Sequence, residues 1–261
     1  MSDADPVLVS RVGPVGIIEL NRPEKFNCLS VGIKNALPGA IKSLEEPGSG
    51  TRVILLRAKG KHFCTGADLD DIKAIRSDRA GLADMVRGAR VLELFEASEL
   101  PVVASVHGMC LAGGLELMLA CDVVFAASDA RFGDQHAQFG LVPGWGGSQR
   151  LPRIIGLRRA MDLFYSARWV DAQTALQFGL VNHVVDPERL QEAALEYCQT
   201  LAERSRGGMA AMKRLARRGL DMEWTEALRF EEEVVVDVLM QEDTTEGLNA
   251  FQERRKPVFK R

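Results

Sequence analysis

The apolar positions keep two rhythms: short strand-like runs through the first half of the chain and a helical spacing through the last third. Val7–Val12 and Val15–Leu20 are strand-like runs around Gly13-Pro14, which signals a hairpin. Residues 29–44 have helical spacing, with Ser30 suited to cap the first turn. Residues 52–58 (RVILLRA), 101–106 (PVVASV) and 122–126 predict further strands. Residues 69–100 predict mostly helix with a break near 77–81, and 115–121 predict a helix after a glycine-rich turn at 108–114. Strands alternating with helices give an α/β layered core with some parallel pairing. The segments VILLRAKGKHFCTGADL and VVASVHGMCLAGGLEL share one plan: a strand, a glycine-bearing loop, then a helix. Strand-to-helix ends of this kind are where open α/β sheets bind ligands. Beyond about residue 187 glycine thins, and 192–202, 208–220 and 225–240 read as helices. The expected division is a core over 1–195 and a helical layer over 196–261. Such a layer often packs on a neighbouring subunit.

Composition narrows the class. With 261 residues, 46% hydrophobic and 26% charged, the chain has the balance of an ordinary soluble domain able to bury a core without staples. A net charge of −3 gives no reason to expect nucleic acid. Cys28, Cys64, Cys110, Cys121 and Cys198 are scattered without CxxC spacing, which argues against a disulfide framework or a zinc site and suits a reducing compartment. The acidic, polar start has no signal-peptide pattern, and no apolar run reaches membrane-spanning length. A cytoplasmic location, with no membrane contact, is the expectation.

The candidate chemistry sits in the loops. Gly66 permits an unusual turn before Ala67 and Asp68 open a helix; the second loop, before Leu115-Glu116, offers the same arrangement, and Gly113 there allows a ligand to approach the backbone closely. Amides at a helix start have no intrahelical partner and can point at an anion. Two of them on one oxygen would make an oxyanion hole. From the residues alone, plain tight turns are an equal reading. Glu116 lies among Leu115, Leu117, Met118 and Leu119, so it is buried or lines a cleft, and burial would raise its pKa toward acid–base use. The alternative is a glutamate that merely favours the helix dipole. His136, in a polar, glycine-rich stretch, can titrate near neutrality. A structural histidine is the commoner case.

At this point the residues match a known family. The stretch Leu20-Asn21-Arg22-Pro23-Glu24-Lys25-Phe26-Asn27 resembles LNRPxxxNAL, and Phe63 to Leu69 resembles FxxGxDL. GMCLAGGLELMLACD resembles GxxxGGGxELxxxCD, with Ala112 in place of the first glycine of the triplet. Phe132-Gly133, Leu141 to Gly144 and Gly146 to Arg150 resemble FGxPE…GxxPGxGGTQRL. In this order and spacing the chain resembles the enoyl-CoA hydratase/isomerase (crotonase) superfamily over essentially its full length. The resemblance implies a crotonase (ClpP/crotonase-like) spiral of ββα units with a C-terminal helical trimerisation layer, and a homo-oligomer that is a trimer or a dimer of trimers. It implies an acyl-CoA substrate and neither cofactor nor metal. It assigns the oxyanion amides to Ala67 and Gly113, and acid–base work to Glu116. Lys25, Phe26, Ala67, Asp68, Leu69, Asp70 and Gly113 would line the coenzyme A site, Lys260 would approach a phosphate, and Trp145 would shape the acyl pocket.

One departure bears on the activity. The family's hydratases hold a water with two glutamates; the first matches Glu116, and the second falls on His136. The leading expectation is a lyase that adds water to a 2-enoyl-CoA. A different crotonase reaction on a specialised acyl-CoA (isomerisation, C–C hydrolysis or decarboxylation) follows closely, because of His136. A non-catalytic acyl-CoA-binding relative comes last, since Ala67, Gly113 and Glu116 are all present.

Overall fold

The computed structural model describes residues 5–259. Strands β1 (Val7–Val12) and β2 (Val15–Leu20) form the expected antiparallel hairpin, with Val12 opposite Val15. Helix α1 (Val31–Glu45) follows, its first turn capped by the Ser30 hydroxyl, which accepts from the Ile33 amide. Next come β3 (Val53–Ala58), α2 (Leu69–Ile75), α3 (Arg79–Gly88), α4 (Glu93–Ala97), β4 (Val102–Val106), β5 (Met109–Leu111), α5 (Gly113–Leu119), β6 (Val123–Ala127) and β7 (Arg131–Gly133). The rest holds α6 (Gly147–Ile155), α7 (Leu157–Ser166), β8 (Val170–Asp171), α8 (Ala172–Phe178), β9 (His183–Val185), α9 (Leu190–Ala202), α10 (Arg206–Gly219), α11 (Trp224–Leu239) and α12 (Glu242–Gln252).

One sheet runs in the order β1-β2-β3-β4-β6-β9 and is parallel beyond the hairpin. Successive side chains of a strand point to opposite faces. Ile18, Ile54, Leu56 and Ala104 therefore join Ile33, Leu37 and Ile41 of α1 in the main core. Ile17, Val53, Leu55 and Val103 point the other way, beneath Leu190, Ala194 and Cys198 of α9. Because both faces are covered, β3 and β4 need apolar residues at consecutive positions, and so they read as unbroken runs. Each fully buried Leu or Ile contributes about 1.5–3 kcal/mol. The composition change near residue 195 falls inside α9, whose buried residues recur every fourth position along the sheet.

A second sheet, β5-β7-β8, stacks the strand-to-helix loops. Cys64 bridges Cys110 in parallel register, and the Leu111 amide donates to the Cys64 carbonyl at 3.0 Å. β5 pairs with β7, and the Ala112 amide donates to the Gly133 carbonyl at 2.9 Å. Three loops distant in sequence thus lie side by side, and Ala67, Gly113 and Asp134 follow them at one end.

Two boundaries differ from expectation. The helix expected from Leu115 begins at Gly113. A Cβ on Gly114 would stand 2.2 Å from the Cys64 carbonyl oxygen, so glycine there serves close approach of helix to loop rather than a turn. Immediately before the helix the positive φ belongs to Ala112, at φ 48° and ψ −119°, as it does to Gly108 at the start of the turn. The break expected at 77–81 ends earlier, because the Asp78 carboxylate accepts from the Ala80 amide at 3.0 Å and restarts the chain as α3.

Candidate active site

A cavity of about 560 Å³ opens at the shared end of the stacked loops. Its lining includes Ala67, Ala112, Gly113, Glu116, His136 and Trp145, with Ile72, Leu82, Met85, Val86, Leu141 and Val142 as an aliphatic side. Gly66 turns at φ +111°, which glycine alone adopts readily. A Cβ on Gly66 would lie 3.4 Å from the Gly113 nitrogen, and one on Gly113 would lie 3.4 Å from the Ala67 nitrogen. The two amides are close neighbours. Among the described residues neither donates to a protein acceptor. Such a pair can hold an anionic oxygen.

The other loop residues divide. Asp68 caps α2, accepting from the Asp70 amide at 3.1 Å and pairing with Arg22 at 3.2 Å. Burial pushes its carboxyl up, but the Asp70 amide and Arg22 outweigh burial and hold it below the ordinary value. Its polar atoms therefore serve the loop, although it also lines the cavity. Lys25 and Asp70 pair at 3.4 Å on the exposed side, beside Leu69. Phe26 does not line the cavity: half exposed, it stands edge-on to His62 at 5.1 Å. It is held there by buried Asn27, whose carboxamide donates to the Lys59 and His62 carbonyls, each at 2.8 Å. Lys260 lies outside the described residues.

Glu116 is 1% exposed. Its Oε1 accepts from the Trp145 amide at 2.7 Å and the Gly147 amide at 2.8 Å. Burial pushes its carboxyl up, and these two amides only partly counter it. The other oxygen, Oε2, lies 3.8 Å from His136 Nε2. His136 Nδ1 is 2.9 Å from Asp134 Oδ1, which also accepts from the His136 amide at 3.2 Å. Burial pulls the imidazole down, but the hydrogen bond and charge of Asp134, with Glu116 behind them, carry it above its ordinary value. The Trp145 ring lies against Gly113, where a Cβ would come within 2.4 Å of it. Asp134 had no place in the motif reading. Its local signal is the Asp-x-His spacing, which lets a carboxylate accept from the amide two residues on. Among the described residues, no group of three or more His, Cys, Asp or Glu is arranged to hold a metal ion.

Neighbouring free amides beside a buried carboxylate–imidazole pair suit an α/β enzyme that builds negative charge on a carbonyl oxygen. Known proteins carry the assignment further. The sequence matches the model for enoyl-CoA hydratase/isomerase over residues 11–261. It is 36% identical over 256 residues to a probable enoyl-CoA hydratase of Rhizobium meliloti, covering 98% of each chain. It is 33% identical over 250 residues to a short-chain-enoyl-CoA hydratase of Clostridium acetobutylicum, covering 96% of this chain and 95% of that one. The fold matches a crystal structure of enoyl-CoA hydratase from Bacillus anthracis with a TM-score of 0.93 at 34% identity, covering 98% of this chain and 99% of that one. The chain belongs to the enoyl-CoA hydratase/isomerase family and has the crotonase fold.

Proposed function

We propose that this chain is a lyase that adds water across the C2–C3 double bond of a 2-enoyl-CoA thioester. The observation that carries the reading is the 3.8 Å separation of Glu116 Oε2 and His136 Nε2 beside the two neighbouring amides. One water can hydrogen-bond both atoms across that gap. Because Glu116 Oε1 is already taken by two amides, Oε2 is the acceptor that faces this water.

In this reading the thioester carbonyl accepts from the Ala67 and Gly113 amides, which draws electrons out of the double bond and makes C3 electrophilic. Water adds to C3 as Glu116 takes its proton. The enolate oxygen that forms stays against the amides, and one such donor is typically worth about 3–4 kcal/mol in the transition state. His136, as imidazolium, delivers a proton to C2 and then regains one from Glu116. The product carries OH at C3 and H at C2, and both side chains return to their starting states. Lys25, Leu69, Asp70 and Trp145 contribute to the coenzyme A and acyl surfaces, together with Phe26, Asp68 and Lys260 by resemblance. No step calls for a cofactor.

A second reading rests on His136 itself. An imidazole where family hydratases carry a second glutamate also suits isomerisation, decarboxylation or C–C hydrolysis of a specialised acyl-CoA. Incubation with crotonyl-CoA and longer 2-enoyl-CoAs, followed by mass, separates the readings. The expected product gains one water, and Glu116→Gln lowers turnover on the order of 10³-fold while leaving CoA-thioester binding in place. Binding without conversion in the unaltered enzyme moves the assignment to the second reading. Full turnover in Glu116→Gln removes Glu116 from the mechanism.

A further inference from the structure

Asp134 is a buried carboxylate, 1% exposed, at the end of β7. Leaving such a charge unpaired inside a protein is strongly unfavourable, because nothing there replaces its hydration. Among the described residues its ion-pair partner is His136, not a lysine or an arginine. One oxygen, Oδ1, takes both the His136 backbone amide at 3.2 Å and Nδ1 at 2.9 Å. The same atom therefore fixes the backbone and the ring of His136.

We infer that Asp134 is the positioning residue that holds the His136 proton on Nδ1 and makes Nε2 the atom that gains and loses a proton toward Glu116. The inference rests on the hydratase reading for its catalytic meaning, but not for its geometry. The charged groups facing the ring are Asp134, from its own loop, and Glu116, from α5. With both carboxylates ionised and the ring neutral, two negative charges would sit buried; a proton on Nε2 compensates one of them. Glu116 then serves as the base, through its single free oxygen, and His136 as the acid. The division of labour comes from Asp134, because an imidazole held only by Glu116 would keep its single proton on Nε2, facing that carboxylate, and Nδ1 would be left without one.

The test is an NMR titration of the ¹⁵N-labelled imidazole of His136 in the resting enzyme and in Asp134→Asn, paired with pH profiles of kcat. Asparagine keeps an oxygen acceptor in place and removes the charge. In the unaltered enzyme the neutral ring should carry its proton on Nδ1, and the ring should titrate above free imidazole. In Asp134→Asn the titration should move down by about one pH unit. The corresponding limb of kcat should follow it, with kcat falling on the order of 10- to 100-fold and KM changing little. A neutral ring protonated on Nε2 in the unaltered enzyme overturns the inference, whether or not the variant folds. So does an unmoved titration in a folded Asp134→Asn. The NMR readout needs no substrate: if the unaltered enzyme hydrates no enoyl-CoA, the hydratase reading fails while Asp134 is still judged by the ring.

Discussion

Ala112 shows what a single residue contributes. At φ 48° and ψ −119° it occupies backbone that costs an L side chain about 1–3 kcal/mol. Its amide is tied to the Gly133 carbonyl and its neighbour is Gly113, so the strain is held by the ladder that builds the site. Glycine at position 112 would relieve that strain but lose about 0.5–1 kcal/mol to the freedom it gains when unfolded. The larger effect wins. Ala112→Gly should stabilise the fold by about 1 kcal/mol, which denaturant unfolding can read; a loss of stability would mean the surrounding contacts prefer the methyl. This position was legible as a departure from a glycine triplet. Glu116 was legible too, from the apolar residues around it. Asp134 was not, because its importance depends on the imidazole it meets.

Among the elements, α6 ties the Glu116–His136 pair to the rest of the fold. Arg150 passes under Gly146, where a Cβ would collide with Nη1. Its Nη1 donates to the Trp145 carbonyl at 2.8 Å, and its Nε donates to Glu96 of α4 at 2.9 Å. Arg217 of α10 shares the Glu96 carboxylate at 2.9 Å and reaches Asp122 at 2.8 Å, where Lys213 joins at 2.7 Å. The loop from Trp145 to Gly147, whose amides hold Glu116 Oε1, is thus tied to three helices. Arg150→Met should cost about 1–3 kcal/mol of stability, since it leaves the Trp145 carbonyl and part of Glu96 without a donor. It should also lower kcat more than it changes KM, because it loosens the grip on Glu116. Arg150→Lys should recover only part of both, having one ammonium where the arginine makes a fork. Unfolding curves and steady-state kinetics check this; full recovery in the Lys variant would reduce Arg150 to a plain charge.

At the scale of the molecule, the C-terminal helices leave apolar surface uncovered. Trp224, Leu228, Val235 and Leu239 fall on one stripe of α11, with exposures of 76%, 46%, 42% and 61%. Met240, which follows α11, and Phe251 of α12 are each 84% exposed. Exposed apolar surface of this extent is what an association face would present. With a trimer or dimer of trimers expected from the family resemblance, the unaltered chain should run at a multiple of three by light scattering, and Leu239→Glu should shift it toward smaller species. A monomer in the unaltered chain would remove this proposal. No helix among the described residues is long and apolar enough to cross a membrane.

The order of β1 to β4, of β6, of the helices between them and of α9 to α11 followed from the sequence by itself, because hairpin turns, caps such as Ser30 and apolar spacing act between residues only a few positions apart; β5, the elements from β7 to β9 and α12 did not. The family followed as well, since its motifs are local and ordered along the chain. Only the tertiary structure decided that the Ala67 and Gly113 amides are neighbours, that the amides of Trp145 and Gly147 meet Glu116, and that Phe26 stands against His62. Those contacts depend on the register of Cys64 with Cys110 and of β5 with β7, and they join residues tens of positions apart through hydrogen bonds that no local pattern encodes.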